Sequence, residues 1–366
     1  MASATGSISP PPPEISLDFY GVGVRIAGAA AEVLDDLRRD FDCFAAKDPG
    51  APAVFSWVLE PEPPAKISGF APKFPVFKTR NFTAYQRGNL RLVRYSDGAI
   101  ASFDFASGEG RIACASKERL RELAFLAVLS RVGEALDRRG LHRVHALGLE
   151  QDGQAVLVLL PSGGGKSSLA LEIFRRSPRT RFLSEDAPLV CAHGLVHPFP
   201  LRWSLRPEAD LSGIPERFIR DFRRREPGGK QRRAASGNDA AARRERYGPK
   251  RLIDAEFFQE RLGASAPLRR IFLGRRIDNQ AAEIRAASSW RAAAALAENL
   301  VVGHGIPQMA EYMAGLGPKT LRRLAPIAYS RARTARRLLR QGSAFRLDLG
   351  RDPAEGAKIL LDCLGR

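Results

Sequence analysis

Residues 155–171 read Ala-Val-Leu-Val-Leu-Leu-Pro-Ser-Gly-Gly-Gly-Lys-Ser-Ser-Leu-Ala-Leu. A continuous apolar run of the buried-strand kind gives way to a glycine-rich turn, and Lys-Ser-Ser then opens an amphipathic helix. That order suits a polyphosphate. Turning several backbone N–H groups inward around phosphate oxygens needs residues without a Cβ, and Gly163, Gly164 and Gly165 stand where the chain must curl. The helix start adds unpaired amides and the positive end of the helix dipole. Lys166 brings a compact charge for the β- and γ-phosphates, the Ser167 hydroxyl is a natural magnesium ligand, and Ser162 and Ser168 complete the loop's polar lining. The strict pattern G-x-x-x-x-G-K-[ST] would have glycine at position 160, where this chain has Leu160. The strand–loop–helix context marks the segment as a nucleoside-triphosphate loop rather than a glycine turn beside an incidental lysine.

A second group of chemically capable residues follows one helix later. Ser184-Glu185-Asp186 closes an apolar run that begins at Arg181. Adjacent residues on a strand point to opposite faces, so the two acids can serve one site only if the strand ends before them. One could then hold magnesium and the other take a proton from an attacking hydroxyl. A solvated acidic turn is the plain alternative, and its place after a phosphate loop tilts the reading toward chemistry. His145 lies just upstream in Val144-His145-Ala146. By itself, such a histidine in an apolar stretch reads first as a packed or hydrogen-bonded core residue.

These residues need elements to position them. The pattern predicts a strand at 154–160, a helix at 166–176, a strand within 181–190, and further strands at 268–273 and 344–349. Residues 287–341 are Ala/Arg-rich and mostly helical. The last helix has a clear start, with Asp352 as N-cap, Pro353 at N1 and Glu355 at N3. Upstream, residues 15–27 alternate as a strand or hairpin, 29–44 carry apolar residues at helical spacing, and a strand is expected around 54–59. Residues 81–115 look like a meander with turns at Ser96-Asp97-Gly98 and 107–110. Ser116 would cap a helix that stops at Gly140. The expected organisation is a disordered tail at 1–14, an N-terminal α+β domain at 15–140 and an α/β domain at 141–366.

Bulk composition bounds the partners. The chain has 366 residues, 44% of them hydrophobic, and a formal net charge of +18. It reads as a folded protein whose charge reflects either an Ala/Arg/Gly/Pro compositional bias or acidic partners: phosphates, acidic peptides, nucleic acid or an anionic membrane surface. Basic residues crowd 220–251, which reads as a solvated insertion or a lid. That segment lacks the interleaved aromatics of a nucleic-acid reader, so nucleic acid is not the expected partner. Cys43, Cys114, Cys191 and Cys363 are widely spaced and suit reduced thiols in the cytoplasm. The N-terminus lacks signal-peptide features, and no apolar run has the length of a membrane span. Two other groups carry weaker signals: His193 with His197, which read as a loop after the second strand rather than a metal site, and Arg202 with Arg206 around Trp203, as phosphate or peptide contacts or as packing on the Trp.

On Val144-His145-Ala146, residues 161–168 and Ser184-Glu185-Asp186, the chain resembles the HPr kinase/phosphorylase family, and more closely its HPr-kinase-related group, which includes kinases of bacterial peptide-modification clusters. The match is strongest over 143–190. The resemblance implies an α/β P-loop kinase domain of HPr kinase/PEP carboxykinase-like type over 141–366. It implies ATP and Mg²⁺ as cofactors, and phosphoryl transfer to a Ser or Thr hydroxyl of a protein or peptide, with genes nearby the first place to look for the acceptor. It assigns a metal contact to Asp186 alongside Ser167, the general base to Glu185 or Asp186, and a place near the phosphates to His145. A homo-oligomer is compatible with it. Two other readings remain open: a P-loop ATPase or switch without an acceptor, and a basic nucleotide- or nucleic-acid-binding module.

Overall fold

A computed structural model describes residues 12–28, 30–62, 75–223, 248–277, 281–306, 308–309 and 318–365. Most of the expected N-terminal tail and of the basic segment at 220–251 lie outside the described residues. The chain is mixed α/β and divides into two compact units. The first comprises residues 1–38 and 45–124, the second 39–44 and 125–366. The division falls inside a helix, whereas the sequence suggested a boundary at its end.

The first unit holds β1 (Glu14–Phe19), β2 (Val22–Gly28), most of α1 (Ala31–Asp40), β3 (Phe55–Glu60), β4 (Phe77–Lys78), β5 (Phe82–Arg87), β6 (Leu90–Tyr95), β7 (Ile100–Asp104) and β8 (Glu109–Ala113). They form one eight-stranded sheet in the order β1-β2-β3-β8-β7-β6-β5-β4. β1 and β2 turn through Tyr20 and Gly21, both at positive φ, as a two-residue hairpin matched to strand twist requires. α1 connects β2 to β3, which pair in parallel, and β5–β8 run as the expected meander. Trp57 and Phe103, both buried, stack at 5.1 Å in the core.

α2 (Lys117–Arg138) begins where Ser116 Oγ accepts the Arg119 N–H and carries the chain into the second unit. There follow β9 (His142–Arg143), β10 (Leu147–Gln151), β11 (Gln154–Leu159), α3 (Lys166–Arg176), β12 (Arg181–Ser184), β13 (Leu189–Val190), β14 (Leu195–His197), β15 (Trp203–Leu205), β16 (Ile219–Arg223), β17 (Pro249–Ile253) and β18 (Ala266–Arg276). The chain ends with β19 (Glu283–Ala286), α4 (Ser289–Leu296), α5 (Pro318–Gln341), β20 (Ser343–Leu349) and α6 (Pro353–Leu364). The main sheet runs β12-β10-β11-β18-β14-β13-β9, with β20 also on β18 and β19 on β20. β15, β17 and β16 make a separate small sheet.

The loop strand β11 sits inside the main sheet, antiparallel to β10 and parallel to β18. Its period-2 alternation serves two cores. Val156, Val158 and Leu160 pack with Leu169 and Ile173 of α3 and Leu360 of α6. Ala155, Leu157 and Leu159 pack with Leu296 of α4 and Leu338 of α5. Burial on both faces explains why the strand reads as an unbroken apolar run. Asp352 caps α6 as expected, its Oδ1 accepting the Ala354 N–H at 2.8 Å. Among the described residues, no helix is long and apolar enough to cross a membrane.

Candidate active site

The loop is built by its glycines. Gly163 and Gly165 have φ of 75° and 92°, and Gly165 is the residue from which α3 starts. Gly164 donates to the Pro161 carbonyl at 2.9 Å, and a Cβ on it would lie 2.9 Å from that same oxygen. No side chain fits inside this bend, so it presents backbone rather than bulk at the head of α3. Leu160 does not break the loop. Its side chain turns into the core, over Gly274 of β18, where an added Cβ would lie 2.5 Å from Leu160 Cδ2. Gly274 thus makes the room that a leucine at this position needs.

The acidic pair comes to the same place because β12 stops at Ser184. Ser184 Oγ accepts the Ala187 N–H at 3.1 Å and turns the chain there. Glu185 and Asp186 therefore escape the strand's alternation, and both reach the first turn of α3. Ser167 Oγ donates to Glu185 Oε1. Lys166 Nζ lies 2.7 Å from Asp186 Oδ1, and His145 Nε2 lies 3.2 Å from the same oxygen. The Ala146 N–H donates to the Asp186 carbonyl and the His145 N–H to the Asn299 carbonyl, each at 3.1 Å, which fixes the histidine between the two segments. Behind the pair, Phe182 of β12 packs edge-on against Trp203, itself stacked on Phe258 at 3.8 Å.

The structure thus brings together His145, Lys166, Ser167, Glu185 and Asp186. Ser167 contacts Glu185, while Asp186 takes Lys166 and His145. The two carboxyls are driven apart in acidity. Burial, then the charge of Asp186, push Glu185 up to about 7, against the opposing pull of Lys166 and Ser167. Burial would raise Asp186 too, but Lys166 and His145 outweigh it and hold that carboxyl well below the usual range. Near neutrality, Asp186 is a fixed anion and Glu185 exchanges a proton.

Arg276 is a residue the sequence reading missed. It ends β18, whose Leu273 pairs with Leu159 of β11, so its end lies beside the loop. Its Nη1 comes within 3.8 Å of where a Cβ on Gly165 would be, and its Nη2 donates to the Arg351 carbonyl at 3.5 Å. An arginine at the carboxyl end of a strand was legible; that this strand neighbours the loop strand was not.

Other charged residues are committed elsewhere. Arg202 is buried on Asp40, with its guanidinium 3.8 Å from the Phe125 ring centre, rather than facing a phosphate. His197, at the end of β14, has its Nδ1 2.7 Å from Ser265 Oγ. Asp137, His142 and Ser330 have the residue types of nucleophilic catalysis, at 2.8 and 2.9 Å. His142 is fully buried, however, and Asp137 is also gripped by Arg331. Ser330 lies inside α5, where backbone amides are spent on the helix.

The donor set fits magnesium and a triphosphate. A hydroxyl, two carboxylates and a loop of glycine amides are hard-oxygen ligands and phosphate donors. Among the described residues, no group of three His, Cys, Asp or Glu is arranged to hold a metal alone. An ion here would complete its shell with substrate oxygens and water, as Mg²⁺ commonly does. Comparison of the chain with protein-family models returned no match, and comparison with curated proteins returned none either.

Proposed function

We propose that the second unit is an ATP-dependent kinase domain resembling HPr kinase, passing the γ-phosphoryl group to a Ser or Thr hydroxyl of a protein or peptide. The observation that carries this reading is the arrival of two carboxylates of different acidity at Lys166 and Ser167, the first residues after the glycine loop. A loop alone would suit any triphosphate-binding protein. A loop with a fixed anion and a neighbouring proton acceptor suits transfer to a hydroxyl.

The loop amides and Lys166 bind and orient the β- and γ-phosphates, and Arg276 lies where it can meet the charge of the transferring group. Ser167 and Asp186 would hold Mg²⁺, which supplies charge neutralisation at those phosphates. The acceptor oxygen forms its bond to the γ-phosphorus as the bond to the bridging oxygen breaks and ADP departs. The hydroxyl proton goes to Glu185, whose acidity near neutrality lets it accept a proton and release it again. His145 keeps Asp186 oriented and ionised.

A second assignment has its own support. The Ser167–Glu185 hydrogen bond suits a shared metal, leaving the Asp186–His145 pair to take the proton. Manganese binding read by electron paramagnetic resonance separates the two. Weaker binding in Asp186→Asn than in Glu185→Gln favours the first assignment, and the reverse order favours the second.

The test of the function is incubation with γ-labelled ATP and Mg²⁺, with Lys166→Ala as control, in the presence of small proteins and peptides encoded by neighbouring genes. Label on a Ser or Thr, lost in the variant, is the expected result. Release of free phosphate with every acceptor unlabelled would point to an ATPase instead. Bound nucleotide without turnover would leave a binding module.

A further inference from the structure

The net charge of +18 is not absorbed by the loop, and one face of the second unit concentrates part of it. α4, the π-helical turn after it (Ala297–Val302) and α5 pack together on one side of the main sheet. They run antiparallel: the Ala287 N–H bonds the Ala344 carbonyl at one end, and Arg331 bonds the Val301 carbonyl at the other. Leu296, Leu300, Ala335 and Leu338 face the sheet. At 100° per residue, Tyr329, Arg333, Arg336 and Arg340 fall on the opposite side of α5, with Arg337 beside them, and all are exposed.

α5 contains no acidic residue. Its ion pairs among the described residues are Arg323 with Glu134 and Arg331 with Asp137, so the outer arginines take part in none. The same pair of helices carries three large apolar side chains in the open: Trp290 at 68% exposure, Val302 at 71% and Tyr329 at 74%. Arg291 lies over the Trp290 ring at 5.4 Å. Arginines without an ion pair among the described residues, beside protruding Trp, Tyr and Val, form an unusual surface for water alone.

We propose that this two-helix face docks on an anionic phospholipid bilayer. The arginines meet lipid phosphates, while Trp290, Tyr329 and Val302 settle at the headgroup–acyl boundary, where aromatic and short aliphatic side chains are most at home. Two helices side by side make a layer rather than a groove, which suits a planar partner better than a peptide. An exposed valine gains nothing from a phosphodiester backbone, which sets nucleic acid behind. The attachment is peripheral and reversible, and does not depend on the kinase reading.

The experiment is sedimentation with vesicles of phosphatidylcholine, alone or mixed with phosphatidylglycerol, combined with tryptophan emission. Trp57 and Trp203 are buried, at 1% and 3% exposure, so a change on binding reports Trp290. The expected result is salt-sensitive binding to the phosphatidylglycerol vesicles with a blue shift. Trp290→Phe abolishes the shift and keeps binding. Replacing Arg333, Arg336, Arg337 and Arg340 by Gln weakens binding by on the order of a thousandfold at low salt. Circular dichroism checks that this variant folds; the pair Arg336→Gln and Arg340→Gln serves if it does not. No vesicle binding, binding without a blue shift, or binding indifferent to the arginines would each overturn the proposal. So would capture of single-stranded oligonucleotide or polyglutamate through these arginines when vesicles are ignored.

Discussion

Two charge clusters of the second unit use similar residues for different ends. In one, Asp40 accepts from Arg202 and from Arg220 at 2.6 Å, and Asp254 accepts from Arg220 and Arg39, each at 2.7 Å. Both carboxylates are buried, and each meets two guanidinium groups that stay charged throughout the working pH range. In the other, Glu185 and Asp186 are only partly buried and share a lysine, a histidine and a hydroxyl. Here two carboxylates share one lysine, and Glu185 titrates near neutrality. Saturation by arginine produces a fixed joint; undersaturation produces a site with chemistry left to do.

The contrast is testable from both sides. The largest effect is expected at the site: Lys166→Ala should lower the rate of ATP turnover by about a thousandfold. Its unfolding free energy from urea titration should change little, by about 1 kcal/mol, because Asp186 is 32% exposed and keeps His145. A variant that unfolds outright would make Lys166 a structural residue and end the distinction. Asp40→Ala should do the opposite. It takes away a carboxylate that both Arg202 and Arg220 contact, the latter keeping Asp254, which costs about 3–5 kcal/mol of stability. Urea titration measures it, and a loss below about 1 kcal/mol would show the joint to be dispensable.

A smaller effect links packing to the loop. Gly274→Ala puts a methyl into the side chain of Leu160, so stability should fall by about 1–3 kcal/mol and binding of a fluorescent ATP analogue should weaken. The paired change Gly274→Ala with Leu160→Ala should recover part of both losses; no recovery would mean that Leu160 is not what the glycine accommodates.

The smallest effect is a shift along the pH axis. A base must be deprotonated to act, and Glu185 titrates at about 7, so turnover should climb as pH rises through that value. Removing the neighbouring anion with Asp186→Asn takes away one cause of the raised value and leaves Lys166 to Glu185, so its titration should move to lower pH. Infrared titration of the carboxylate band follows this even in a variant with little activity. A midpoint that stays put would mean that burial alone sets it.

Much of this was legible from the residues, for local reasons. Three consecutive glycines before Lys-Ser-Ser, an unbroken apolar strand ahead of them, and Asp-Pro-x-Glu at the start of α6 state their conformations within a few residues. The condition that the strand must end before Glu185 was also set by alternation alone. Whether it was met depended on the Ser184 turn. The rest required distant segments to meet. His145 alone could be a core residue; its contact with Asp186 arises because residues 144–146 bond to Asp186 and Pro188. Arg276 joins the loop only because β18, more than a hundred residues after β11, pairs beside it in parallel. The alternative of a phosphate contact at Arg202 lost to Asp40, some 160 residues earlier. The sequence by itself determined the loop, the helix starts and the candidates, because those depend on backbone preference and nearest neighbours. Only the tertiary structure decided which carboxylate faces which cation, because acidity and pairing depend on burial and on charges that the chain brings from far away.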